Sequence, residues 1–124
     1  MSERIKVLVV DDKQVIRDFF DITLGYYGHQ ITVVNDPELA TKLVKQEVFD
    51  IAFVDMVMPQ KDGVDVLRDV KVACPTLPVV MMSGYTIEEK HRRAKELGAT
   101  ECLKKPFEYE DIRRVVKSAT GKES

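Results

Sequence analysis

Ile51-Ala52-Phe53-Val54-Asp55 decides how this chain folds: four apolar residues in a row, then an acid. A strand with one wet face alternates apolar and polar residues. An unbroken apolar run is what a strand covered on both faces requires. Downstream, Met58-Pro59 and Asp62-Gly63 mark a loop. Val66, Leu67 and Val70 then recur at helical spacing.

The same alternation extends both ways. Ile5 to Val10 is a run rich in β-branched residues that stops at Asp11-Asp12. Val15, Ile16, Phe19, Phe20 and Leu24 follow at helical spacing, as far as Gly25 or Gly28. Ile31 to Val34 is a second short strand. Asp36-Pro37 is a cap with proline in the first turn, ahead of a helix with Leu39, Ala40, Leu43 and Val44 on one face. Beyond the central strand, Pro78 to Met82 is a fourth strand, with Met81-Met82 as core. Thr86 and Glu89 have the spacing of a capping box for a helix that ends near Gly98. Thr100 to Leu103 is a fifth strand, and Glu108 to Ala119 a last helix with Ile112, Val115 and Val116 inward. Strand and helix thus alternate along the whole chain, the pattern of a doubly wound α/β parallel sheet. In such sheets ligands bind beyond the carboxyl ends of the strands, where strand order reverses.

The remaining features narrow the class. A chain of 124 residues is long enough for one core and hardly two, so we expect a single domain over 1–124, with a core over 5–119 and a frayed tail over 120–124. A formal net charge of −2 gives no electrostatic case for nucleic acid or an anionic membrane as the main partner. No apolar run approaches the roughly 20 residues of a membrane span, and the first residues lack a signal-peptide pattern, so the expected location is the cytoplasm. Cys74 and Cys102 lack zinc-type spacing and read as thiols. His29 and His91 are isolated and read as solvent-facing, and Glu88 to Arg93 as a solvated helix face.

The polar residues fall in one place. Asp11 and Asp12 follow the first strand, Asp55 the third, Ser83 the fourth and Lys105 the fifth. Taken singly, Asp11-Asp12 reads as a helix cap, Ser83-Gly84 as a turn and Lys105 as surface charge. Taken together they occupy the edge where this architecture puts a site. Carboxylates about 5 Å apart repel by roughly 3 kcal/mol at an effective dielectric near 20. A hard cation on oxygen ligands is the usual compensation, and Mg²⁺ suits carboxylates, waters and phosphate oxygens. A carboxylate oxygen can attack phosphorus to give an acyl phosphate. A shared metal, an ammonium and a hydroxyl relieve the charge that gathers there.

With these residues the chain resembles the receiver domains of bacterial two-component response regulators. The likeness rests on Val9-Val10-Asp11-Asp12, Asp55-Met56-Val57-Met58-Pro59, Asp62-Gly63, Met82-Ser83-Gly84 and Lys105-Pro106-Phe107, in that order along the chain. It implies a flavodoxin-like (βα)5 sheet in the order 2-1-3-4-5. It implies Asp55 as phosphoacceptor, Asp12 as direct Mg²⁺ ligand (Mn²⁺ as a substitute), Asp11 acting mainly through water, and the Val57 carbonyl completing the metal shell. Ser83 takes the role of switch hydroxyl and Lys105 that of phosphoryl-binding lysine, with a cis bond to Pro106. The implied partners are a sensor histidine kinase or a histidine phosphotransfer protein, and a downstream protein met by the fourth helix, fifth strand and fifth helix. No output domain follows, so the expected unit is a non-enzymatic switch, monomeric or dimerising on phosphorylation.

Three positions modulate this expectation. Cys102 stands where the family usually has Tyr or Phe, so coupling through an aromatic rotamer is not assumed. Val57 and Tyr85 flank the path of a hydrolytic water and offer no carboxylate or amide to orient it, which favours a long-lived phosphoryl group. Three rivals remain. A flavin module needs phosphate-cradling donors where Asp11-Asp12 would repel. An aspartyl phosphatase has its acids in a D-x-D pattern. The third is a degenerate receiver that binds partners without phosphorylation.

Overall fold

The computed structural model describes residues 4–84 and 88–122. Five strands, β1 (Lys6–Val10), β2 (Gln30–Val34), β3 (Ile51–Asp55), β4 (Val79–Ser83) and β5 (Glu101–Lys104), alternate with five helices. The helices are α1 (Gln14–Thr23), α2 (Pro37–Gln46), α3 (Gly63–Ala73), α4 (Glu88–Glu96) and α5 (Tyr109–Thr120). All strand pairs are parallel, in the order β2-β1-β3-β4-β5, as the family resemblance implies. The chain moves outward from β1 to β2 and then returns to place β3 on β1's other side, so the order reverses between β1 and β3.

Strand register sets the site. Val10 lies beside Val54, Asp55 beside Met82, and Ser83 beside Lys104. The carboxyl ends of β1, β3, β4 and β5 therefore form one rim. Side chains alternate across the strands and build two cores. Val7, Val9, Ile51, Phe53, Val80 and Met82 face Phe20 and Leu24 of the α1 segment and Ile112, Val115 and Val116 of α5. Leu8, Val10, Ala52, Val54, Val79 and Met81 face Ala40 and Val44 of α2, Val66, Leu67 and Val70 of α3, and Ala94 of α4. Every residue of β3 is buried, which is why it carries no alternation. The Phe20 and Phe53 rings are 4.8 Å apart.

Several local expectations change. Asp55 and Ser83 are the last residues of their strands rather than the first beyond them. β5 and α5 each start and end one residue later than expected. Val15 and Leu39 are exposed, because each sits at the edge of its helix's apolar stripe while Phe20, Ala40 and Val44 occupy the centre. His29 is buried, not solvent-facing: its Nδ1 accepts the Ile5 N–H at 3.1 Å. Burial, with the nearby Arg4 charge, lowers its pKa. His91 is half-buried. The helix containing Glu88 to Arg93 is not wholly solvated, because the Lys90 Nζ donates to Asp62 Oδ2 at 2.8 Å. Nor do Gly121 and Lys122 fray: Gly121 ends α5 in the left-handed region (φ 74°), and Lys122 pairs with Asp50 at 3.0 Å. Thr86 of the expected capping box lies outside the described residues.

Candidate functional site

Each acid is positioned by backbone that the sequence places firmly. The Asp11 N–H continues the sheet by donating to the Val34 carbonyl at 3.1 Å. Its side chain is fully buried, Oδ1 accepting the Lys13 N–H at 2.8 Å and Oδ2 receiving the Lys105 ammonium at 3.1 Å. Asp55 ends the buried β3, and its side chain is only 4% exposed. Asp55 Oδ1 accepts the Val57 N–H at 3.3 Å and lies 3.4 Å from Lys105 Nζ. Its other oxygen, Oδ2, lies 3.5 Å from Lys13 Nζ. Asp12 is half-buried, with Oδ1 at 3.4 Å from that same ammonium.

One oxygen from each of Asp11, Asp12 and Asp55 lies within 4.8 Å of the others. Burial, and then Asp55, push the Asp11 carboxyl above its ordinary pKa, against the Lys13 N–H and Lys105, which pull it down. Burial pulls the Lys13 ammonium down, but Asp55, Asp12 and Asp11 outweigh it and raise its pKa.

Ser83 is buried at the end of β4, and its carbonyl accepts the Lys105 N–H at 2.6 Å. That bond fixes the backbone from which Lys105 reaches back to the acids. The Lys105–Pro106 peptide is cis. Gly63 lets α3 begin against the end of β3: a Cβ there would lie 2.3 Å from the Asp55 carbonyl oxygen. Asp62 caps α3, its Oδ1 accepting the Val64 N–H at 2.9 Å, and it bridges back to Val57. Val57 is exposed at the mouth of the cleft. Cys102 is half-buried beside Met81, packed against the α2–α3–α4 core, and burial raises its thiol pKa. Both cysteines are free thiols. Tyr85 lies outside the described residues.

The rim thus brings together Asp11, Asp12, Asp55 and Lys105, with Ser83 and Val57 at its edge. Lys13 joins them and is not among the residues singled out above. Its signal in the sequence is a cation directly after two acids, at the start of a helix. A cavity of about 530 Å³, lined by Phe49, Asp50, Cys74 and Pro78 among others, lies at the amino ends of β3 and β4, and Asp11, Asp12 and Asp55 do not line it. Three carboxylates with no nitrogen or sulfur donor among the grouped residues suit a hard, oxygen-preferring cation.

Fold and cleft together define a doubly wound α/β domain with an acidic site at its topological switch point. The chain belongs to the response regulator receiver domain family, whose model matches residues 7–117. A receiver domain is a signalling module. Sporulation initiation phosphotransferase F of Bacillus subtilis (strain 168) is 32% identical over 112 residues, covering 90% of each chain. Transcriptional regulatory protein ZraR of Escherichia coli (strain K12) is 28% identical over 117 residues, 94% of this chain and 26% of the relative. The chain spans about a quarter of the length of several curated relatives it matches. Among solved structures, Vibrio cholerae chemotaxis protein CheY4 superposes with a TM-score of 0.87 at 28% identity, over 94% of this chain and 99% of that one. No helix among the described residues is long and apolar enough to cross a membrane.

Proposed function

We propose that this chain is a phosphoaccepting switch in which Asp55 takes a phosphoryl group from a phosphohistidine. The donor is a sensor histidine kinase or a histidine phosphotransfer protein. The observation that carries this reading is the division of labour at Asp55. A nearly buried carboxylate turns Oδ2 toward Lys13, and Oδ1 toward Lys105. Asp12, Asp55 and the Val57 carbonyl would hold Mg²⁺ or Mn²⁺, with Asp11 acting mainly through water. That ion, when bound, cancels repulsion between carboxylates and phosphoryl oxygens.

The residues then divide the work. Asp55 Oδ1, on the Lys105 side, attacks phosphorus. An O–P bond forms, the P–N bond to the donor histidine breaks, and its electron pair leaves with the imidazole. Lys105, 13% exposed, holds its charge against a phosphoryl oxygen in a place poor in competing water. The Ser83 hydroxyl donates to another phosphoryl oxygen. Because the Ser83 carbonyl holds the Lys105 N–H, movement at the phosphoryl group reaches both strand ends together. That movement biases a two-state equilibrium at the α4–β5–α5 face. Val57 shields the acyl phosphate from water by bulk, and Cys102 replaces the aromatic side chain through which relatives transmit the change.

Residues 1–124 act in this reading as one receiver unit in the cytoplasm, monomeric or dimerising on phosphorylation. The unit binds a protein target or passes the phosphoryl group on. The match along 90% of a relative named as a phosphotransferase favours the hand-off. Incubation with acetyl phosphate and Mg²⁺, followed by intact mass spectrometry, is the test. One added phosphoryl group, lost in Asp55→Asn, is expected. An unchanged mass would leave instead a receiver that binds partners without phosphorylation.

A further inference from the structure

We propose that the Lys13 ammonium is the resident counter-cation of the metal-free cleft, and that a divalent ion enters by displacing it. The inference rests on the reading of the cleft as a divalent-cation site and adds a residue to it. Lys13 Nζ lies 3.4 Å from Asp12 Oδ1 and 3.5 Å from Asp55 Oδ2. It therefore bridges the two carboxylates assigned as direct metal ligands. Lys105 Nζ instead bridges Asp11 Oδ2 and Asp55 Oδ1, on the other side. Two lysines thus divide one acidic cluster.

Only one of them is built to leave. Lys105 is 13% exposed and enclosed, whereas the Lys13 side chain is 54% exposed. The Lys13 backbone stays fixed, because its N–H is held by Asp11 at 2.8 Å and its carbonyl accepts the Ile16 and Arg17 N–H groups that start α1. The head of the side chain is tethered by two contacts longer than the roughly 2.7–2.9 Å of a strong ammonium–carboxylate bond. Rotation of the side chain carries the ammonium into water without disturbing the helix.

Charge favours the exchange. Three carboxylates facing two ammonium groups leave one net negative charge. Exchanging Lys13 for a divalent ion brings the cluster to neutrality. Filling the cleft with Lys13 also keeps Asp55 Oδ2 paired when no metal is present. Binding of the ion must overcome that pairing, so Lys13 sets the metal affinity of the site.

Calorimetric titration of Mg²⁺ into the parent chain, Lys13→Met and Asp12→Asn, with a parallel labelling experiment, tests this. Lys13→Met should bind Mg²⁺ about three- to tenfold more tightly, and Asp12→Asn should bind it weakly. Loss of a nearby positive charge alone would also tighten binding, so displacement needs its own readout. Acetylation of the Lys13 amine by acetic anhydride, followed by peptide mass spectrometry, should quicken severalfold in saturating Mg²⁺. The exposed Lys42 on α2 serves as the constant reference. If the parent binds Mg²⁺ but Lys13→Met gains no affinity, or Lys13 acetylation ignores Mg²⁺, the displacement is refuted while the cation site stands. If neither parent nor Lys13→Met binds Mg²⁺, the cation site itself is refuted.

Discussion

Asp11→Asn removes one charge from the crowded rim, and its effect on stability can be worked from the structure. Asp11 is fully buried, and one of its oxygens lies within 4.8 Å of oxygens on Asp12 and Asp55. Two unit charges at that spacing repel by about 3 kcal/mol at an effective dielectric near 20. Lys105, at 3.1 Å, offsets most of the two repulsions. Asparagine keeps the oxygen that accepts the Lys13 N–H at 2.8 Å. It removes both repulsions and the cost of burying a charge, and loses the ion pair with Lys105, which a neutral amide cannot make. The metal-free variant should therefore be more stable than the parent by about 1–2 kcal/mol at neutral pH. Urea denaturation in the presence of EDTA measures this. The pH dependence carries a definite sign. Burial raises the native Asp11 pKa above the ordinary 3.8, so the native state holds its proton to higher pH than the unfolded chain. The parent's stability then falls as pH rises from about 3.8 through the raised value, and is least penalised below 3.8. The advantage of Asp11→Asn should open across that window and shrink below it. A variant less stable than the parent at pH 7, or a difference that ignores pH, would refute the reasoning.

Three further outcomes follow from neighbouring features. Asp50→Ala removes the acceptor of the Lys6 N–H (2.7 Å) and the partner of Lys122 (3.0 Å). It should cost about 1–3 kcal/mol by urea denaturation at pH 7. Burial pushes the Asp50 pKa up, but the Lys6 N–H and Lys122 outweigh it and leave it lowered. Its stabilisation is therefore complete above pH 3.8 and is lost as pH falls through the lower native value, so parent and variant should converge in acid. Gly63→Ala drives a methyl group against the Asp55 carbonyl oxygen. It should cost about 2–3 kcal/mol in thermal melting and slow labelling by acetyl phosphate, because the end of β3 must shift. Val57→Asn puts an amide at the mouth of the cleft and should shorten the phosphoryl half-life severalfold in Mg²⁺. A half-life equal to the parent's would remove Val57 from the control of hydrolysis.

How much of this was legible in the sequence depends on the range of each interaction. The unbroken apolar run of β3 identifies a strand covered on both faces, and from it the alternation of strands and helices can be followed in both directions. Asp11, Asp12, Asp55, Ser83 and Lys105 stand out because strands of fixed direction end on them. Lys13 does not, since a lysine just ahead of a helix has the pattern of any solvated cation. Only the fold shows that its side chain turns back over Asp12 and Asp55. His29 is illegible for a related reason. Its partner is the Ile5 N–H, 24 residues away, and nothing local distinguishes a buried acceptor imidazole from an exposed one. The tail shows the same limit. Lys122 is held by Asp50, 72 residues distant, and local composition alone suggests fraying. Cys102 was legible as a departure from the family, and only the fold shows its half-buried place beside Met81.

The central claim is that three acids share one rim because a divalent cation joins them and readies Asp55 for a phosphoryl group. A crystal structure of the protein grown with Mg²⁺ and beryllofluoride tests it most directly. The account predicts a metal ion on Asp12, Asp55 and the Val57 carbonyl, and beryllofluoride on Asp55 with Lys105 and Ser83 against its fluorines. Asp11, Asp12 and Asp55 turned apart into solvent, with neither ion between them, would contradict it.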